Sequence, residues 1–289
     1  MYWTTADSGT FTMPPLPGST LIVGCGYLGG RVADALVAAG RPTFALTRSR
    51  ADALAARGLR PILGDVTDPA SLHDLPEVEW VVCAVGMDRT AGKSMREVYV
   101  AGLRSVLAAL PGSPRITYVS STGVYGQTAG EWVTEASDTN PTEESGKVVL
   151  DAERALRELR PDATILRFAG IYGPGRLLRK PPLLNGEPFV GDADKWLNLI
   201  HVADGVRAVL AAETVSGATF NIADGTPVTR RDFYTHLAKL LGAPPARFEP
   251  SPTPATEPNR RIDGRAARER LGFAPEYPSY VEGLAASLG

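Results

Sequence analysis

At 289 residues the chain is long enough to bury a sizeable core, as one large α/β domain or as one domain with a smaller lobe. Hydrophobic content of 44%, charged content of 21% and a net charge of −2 are those of an ordinary globular protein, and they exclude a field that would draw in nucleic acid or anionic lipid. Cys25 and Cys83 are too few for a disulfide scaffold or a cysteine-built zinc site, and no stretch approaches the roughly 20 apolar residues that cross a bilayer.

Met1 to Ser19 is rich in Thr, Pro and Gly and has no basic segment followed by an apolar one, so it reads as a flexible leader on a cytosolic protein. Thr20 to Val23 is a short apolar run stopped by glycine, the pattern of a buried parallel strand. A helix follows from about Gly29 to Ala39, with Val32, Leu36 and Val37 on one face and Gly40 as its stop. Thr43 to Thr47 is the next strand, Ala51 to Arg57 the next helix, and Pro61 to Leu63 a third strand running into Gly64 and Asp65. Trp80 to Val85 and Arg115 to Ser120 are further strands, separated by a helix around Lys93 to Leu110. Glu143 to Leu159 reads as a helix with Val148, Val149, Ala152, Ala155, Leu156 and Leu159 inward, and Thr164 to Phe168 as a sixth strand.

Strands alternating with helices of this length predict a parallel sheet, an α/β fold of the Rossmann type, doubly wound. Past Gly173 the texture changes. Prolines 174, 181, 182 and 188 break the chain, and prolines crowd again from Pro244 to Pro258. Between them Ile200 to Val202 and Thr219 to Ile222 look like strands, and Ala203 to Ala211 like a helix. The expected organisation is a leader to residue 19, a dinucleotide-binding domain over 20–173, and a smaller substrate lobe over 174–289. About 197–224 of that lobe is expected to return to the sheet.

Gly24-Cys25-Gly26-Tyr27-Leu28-Gly29 is the strongest motif. Gly24 permits a tight turn out of the strand, Gly26 lets a pyrophosphate approach the backbone, and Gly29 lets helix and strand pack closely. The helix N-terminus that follows supplies free N–H groups. The motif's place between a strand and a helix, opening a βαβ series, marks it as a dinucleotide site. The cofactor-binding set is read as Gly24, Gly26, Tyr27, Leu28, Gly29, Arg48, Ser49, Asp65, Val66, Ala84 and Lys147.

The end of the second strand bears on the cofactor. An acid there would bind a ribose 2′-hydroxyl, but the sequence reads Thr47-Arg48-Ser49-Arg50. Two guanidinium groups beside hydroxyls suit a 2′-phosphate, so NADP is expected, with NAD as the other option. A solvated basic turn is the plainer account of the same residues. Asp65 fits a place near the adenine or the start of a helix, as does Asp68.

Gly86 to Ser94 looks like a P-loop but has five residues between its glycines where the motif needs four. The three histidines form no metal-ligand spacing, and there is no Gly-x-Ser-x-Gly elbow.

Ser120-Ser121-Thr122-Gly123-Val124-Tyr125-Gly126 follows the fifth strand, where open α/β sheets bind ligands. With the glycine loop, the segment Leu166 to Gly175 and the segment Trp196 to Asp204, it resembles the extended short-chain dehydrogenase/reductases, the family of nucleotide-sugar epimerases and dehydratases. The resemblance covers nearly everything from Thr20 onward. It implies that Ser121 holds a substrate hydroxyl or carbonyl, and that a Tyr-x-x-x-Lys pair supplies the proton and anchors the nicotinamide ribose. Lys147 is present, but Glu143 stands four residues earlier, and no tyrosine occurs between Tyr125 and Tyr172.

A carboxylate there would be ionised and paired with the lysine, a pattern similar to atypical members that lose the catalytic pair. Lys147 fits a surface cation equally well, and Glu143 fits a first-turn helix residue. Ser121 and Lys147 are the catalytic candidates; Ser121, Arg167, Tyr172 and Arg176 are expected to face the substrate from the lobe junction. The expected function is an NADP(H)-binding oxidoreductase-like epimerase, dehydratase or reductase acting on a small molecule, with nucleotide sugars as one option. The alternative is a non-catalytic NADP-binding sensor or partner-binding protein. A homodimer through the Lys93–Leu110 and Glu143–Leu159 helices is a further expectation, although the apolar stripe of the second equally suits the protein's own sheet.

Overall fold

Leu21 and Val23 point to one face of their strand and Ile22 to the other, and all three are buried, so the strand needs cover on both sides. The computed structural model, which describes residues 18–88, 90–177, 179–250 and 257–288, supplies that cover. Seven strands form one parallel sheet: β1 (Thr20–Val23), β2 (Thr43–Thr47), β3 (Arg60–Leu63), β4 (Trp80–Cys83), β5 (Arg115–Ser121), β6 (Thr164–Phe168) and β7 (Thr219–Ile222). Their order is β7-β6-β5-β4-β1-β2-β3, so the chain runs outward through β2 and β3, then returns to the other side of β1. That reversal opens a crevice at the carboxyl end of β1.

One face of the sheet packs on α1 (Gly29–Ala38), through Val32, Ala33 and Leu36, and on residues 202, 206, 208 and 209 of a later helix. The other face packs on α3 (Gly102–Ala109) and α4 (Glu144–Leu159), through Leu103, Val106, Ala152 and Leu156. Between the faces in sequence lies the short α2 (Ala51–Ala55). The apolar stripe of α4 therefore meets its own sheet. Its outer face carries ion pairs to the α3 side, Arg96–Asp151 at 2.8 Å and Arg104–Glu158 at 2.6 Å. Leu159, expected inward, is 43% exposed because the helix ends there and the chain turns away.

The helix expected around Lys93 to Leu110 begins as a π-helical stretch, Glu97–Ala101, that passes into α3. Ser19, expected within the leader, is buried, and its carbonyl accepts from the Glu79 and Trp80 N–H groups. The rest of the expected leader up to residue 17, and part of the proline-rich stretch, lie outside the described residues.

β7 pairs with β6, which brings the late segment back as an edge strand. The strand expected at Ile200 to Val202 is instead Leu199–His201, and it pairs with Gly170–Tyr172 outside the central sheet. Past Gly173 the chain is more helical than its prolines suggest: α5 (Lys180–Leu184), α6 (Val202–Ala211), α7 (Arg230–Leu241), α8 (Arg265–Leu271) and α9 (Tyr280–Leu288). Tyr172, Leu183, Phe189, Phe233, Leu237 and Leu284 form a separate core for this part of the chain.

Candidate active site

The three motif glycines answer to three different physical demands. Gly24 has φ +102°, a backbone conformation that favours glycine, and a Cβ there would stand 2.6 Å from the Ala84 and Val85 backbone. At position 29 a Cβ would stand 2.2 Å from the Gly24 carbonyl oxygen, so helix and strand could not close on each other. At position 26 a Cβ would meet nothing within 4 Å. Gly26 is thus not required by the protein's own packing; it keeps a space open at the N-terminus of α1, where N–H groups and the helix dipole favour an anion.

That space belongs to a cavity of about 330 Å³ lined by the ends of β1, β2, β3 and β4. Of the residues read as cofactor-binding, Gly24, Gly26, Arg48, Ser49, Asp65 and Val66 line it. Asp65 also holds its own turn, accepting from the Thr67 N–H at 2.8 Å, while Asp68 caps the 3₁₀ turn Pro69–Leu72 through the Ala70 N–H. Ala84 lies beneath the loop against Gly24 and Gly29. Leu28 is buried in the core, and Tyr27 turns toward the later part of the chain. Its ring lies under the guanidinium groups of Arg31 (4.1 Å) and Arg176 (5.2 Å), and its hydroxyl donates to the Pro174 carbonyl. Arg50 fastens the loop by donating to the Cys25 carbonyl at 2.9 Å. Sequence reasoning missed Asp88 and Lys93, which also line this cavity. They come from the stretch that imitates a P-loop, and their position just after β4 was the available signal.

A second cavity, of about 380 Å³, lies at the ends of β5 and β6. Ser121 and Arg176 line it, together with Tyr99, Tyr118, Val149 and Ile171, to which sequence reasoning gave no role at a cleft. Tyr99 is presented by the π-helical stretch, a conformation that often marks functional sites. Ser121 Oγ accepts from the Gly123 N–H at 3.0 Å, fixing the hydroxyl at the strand end. Burial pushes the Tyr118 phenol well above the usual tyrosine range, and the neighbouring Cys83 and Glu153 add to the effect. Val85, at the end of β4, lines both cavities, so the two clefts adjoin.

The NAD dependent epimerase/dehydratase family model matches residues 20–223. The chain belongs to that family. It is 34% identical to Protein YeeZ of Escherichia coli (strain K12) over 168 residues, an alignment that spans 57% of this chain and 59% of YeeZ. A solved structure of a putative NAD-dependent epimerase/dehydratase from Methylobacillus flagellatus shares 33% identity, covers 94% of this chain and 97% of its own, and superposes with a TM-score of 0.75. MoeE5, solved in complex with UDP-glucose and NAD, shares 25% identity over 94% of this chain and 97% of its own, with a TM-score of 0.77.

Relative to the epimerase/dehydratase pattern, several expected residues are elsewhere. Lys147 is exposed on α4 with its ammonium 3.9 Å from Glu144, and it lines neither cleft. Glu143 does not pair with it through side chains. Glu143 is the extended residue before α4, and its carbonyl accepts from the Lys147 N–H. Its charge acts on Arg260, whose guanidinium donates to the Thr122 carbonyl.

Arg167, expected to face substrate, is turned inward and buried. It donates to both Glu153 oxygens, the shortest contact being 2.7 Å, and to the Tyr125 hydroxyl at 2.9 Å. Ser120 donates to the same Glu153, and Tyr125 donates on to Asn221. A carboxylate buried on α4 demands such partners, and Arg167 is the cation within reach. Tyr172, also expected to face substrate, is fully buried in the separate core, where burial pushes its phenol up. Among the described residues no cluster of His, Cys, Asp and Glu is placed to hold a metal ion, and no helix is long and apolar enough to cross a membrane.

Proposed function

We propose that the chain is an NADP(H)-dependent oxidoreductase of the epimerase/dehydratase/reductase type acting on a small anionic substrate, with nucleotide sugars as the leading class. The observation that carries this is the adjoining pair of clefts, open over Gly26 at one end and lined by Ser121 and Arg176 at the other, with Val85 common to both. Gly24, Gly26 and the α1 N-terminus would hold the pyrophosphate, and Arg48 with Ser49 the 2′-phosphate. Asp65 and Val66 would flank the adenosine. When bound, the nicotinamide accepts or supplies a hydride. Ser121, which already accepts from the Gly123 N–H, keeps its O–H to donate to a substrate oxygen. Arg176 stacks on Tyr27 with its guanidinium at the cleft wall, suited to a phosphate or carboxylate on the substrate. MoeE5, bound to UDP-glucose and NAD, supports a nucleotide-sugar class. Activity in the cytosol and pairing of two chains belong to the same reading.

Titration calorimetry tests the cofactor. NADP(H) should bind at least about tenfold tighter than NAD(H), since one charge-assisted hydrogen bond is worth roughly 1.5–3 kcal/mol. Arg48→Ala should erase the preference, and equal affinities in the wild type would overturn it. Consumption of NADPH against a panel of UDP- and dTDP-sugars and their keto derivatives then tests the chemistry.

Glu143 and Lys147 favour a second reading, a non-catalytic NADP-binding protein, because neither brings a phenol or an ammonium to the cleft wall. That reading predicts tight NADP(H) binding with no turnover on any member of the panel.

A further inference from the structure

We propose that Asp88 sets how strongly this chain distinguishes phosphorylated from unphosphorylated adenine dinucleotides, by competing with the 2′-phosphate for Arg48. The inference rests on the reading of Arg48 as the phosphate-binding cation. β2 and β4 flank β1 on opposite sides, and Arg48 and Asp88 follow their carboxyl ends. Arg48 Nη2 donates to Asp88 Oδ2 at 2.6 Å, so the pair crosses the end of β1 and ties the two walls of the glycine-loop cavity.

Asp88 is held for this contact. Its Oδ1 accepts from the Thr90 N–H at 3.0 Å and the Thr90 hydroxyl at 2.6 Å. These bonds and the Arg48 guanidinium lower its carboxyl to about 2, so the group is an anion throughout the working range of a protein. It therefore occupies the cation that a 2′-phosphate needs, and its charge opposes the phosphate. Arg50 cannot fully substitute, because one of its guanidinium nitrogens is committed to the Cys25 carbonyl. A ribose hydroxyl carries no charge and is opposed far less. Both side chains of the pair are close to half exposed, so the contact is weak enough to open for a ligand.

The experiment measures binding of 2′,5′-ADP and 5′-AMP to the wild type, Asp88→Asn and Asp88→Glu. The asparagine keeps an oxygen to accept from Thr90 but loses the charge; the glutamate keeps the charge. Asp88→Asn should bind 2′,5′-ADP about two- to fivefold tighter, the range an exposed ion pair allows, with 5′-AMP changed less than about twofold. Asp88→Glu should show no such gain. Weaker binding of both nucleotides by Asp88→Asn would make Asp88 an acceptor for the adenosine and overturn the proposal. If the wild type prefers 2′,5′-ADP and Asp88→Asn leaves that preference unchanged, the competition is wrong while the reading of Arg48 stands. If neither protein discriminates, both are wrong.

Discussion

The two clefts lie on the same edge of one sheet, yet they treat polar residues in opposite ways. Around the glycine loop, Arg48, Ser49, Asp65 and Asp88 remain at the cavity wall, and the packing leaves the space over Gly26 empty. At the ends of β5 and β6 several polar side chains bind one another instead, in the chain Ser120–Glu153–Arg167–Tyr125–Asn221, which leads from the cleft wall at Ser120 into the interior. A polar residue near a ligand-binding edge therefore faces ligand only where the interior does not claim it first. In this protein one buried carboxylate, Glu153, holds Arg167 away from the cleft and engages the Ser120 hydroxyl at the cleft wall.

Position 29 gives the largest expected effect. Gly29→Val should yield no folded protein, because its side chain would stand against the Gly24 carbonyl. Gly26→Val, three residues away, should keep the wild-type circular dichroism and melting temperature while losing dinucleotide binding altogether. A folded Gly29→Val, or a Gly26→Val that binds normally, would break the distinction between packing and ligand glycines.

In the inward-turned network, Arg167→Leu should lower stability by about 3–5 kcal/mol, because it strands Glu153 in the interior. Urea unfolding measures this, and a change under about 1 kcal/mol would mean that Glu153 finds water and that Arg167 is available to a ligand after all.

Asp224, just past β7, extends the same comparison. Burial pushes its carboxyl from 3.8 up to about 7, against the lowering effects of the Thr226 N–H and Arg268. The folded state thus holds this proton more tightly than the unfolded chain. The associated stability is complete below about pH 4 and is lost as the pH climbs through 7. Asp224→Asn keeps an acceptor for Thr226 and does not ionise, so relative to wild type it should gain up to about 4 kcal/mol between pH 4 and pH 8. A pH-independent difference between the two proteins would show that Asp224 is ionised in the fold.

Lys147→Ala should do least, changing NADP(H) affinity and any turnover less than about twofold, since its ammonium lines neither cleft. A loss of tenfold or more would show that the lysine swings onto the ligand and would draw the second cleft closer to the family's ordinary pattern.

The sequence by itself determined the parallel sheet, because apolar runs buried on both faces cannot be read any other way once helices alternate with them. It also determined the glycine loop and the basic end of β2, because the turn, the strand end and the helix start are contiguous in the chain. Local chemistry suffices there.

Only the tertiary structure decided the second cleft. Arg167 and Glu153 are 14 residues apart, Tyr125 and Asn221 96 apart, and Tyr172 and Ser279 107 apart, and each contact removes a polar group from the set that could face a ligand. The same holds for Asp88, whose partner Arg48 lies 40 residues earlier on the far side of β1. Sequence spacing reports which groups are near an edge. Which way they turn depends on the desolvation of every neighbour the fold brings in, and that is settled only when the chain has closed.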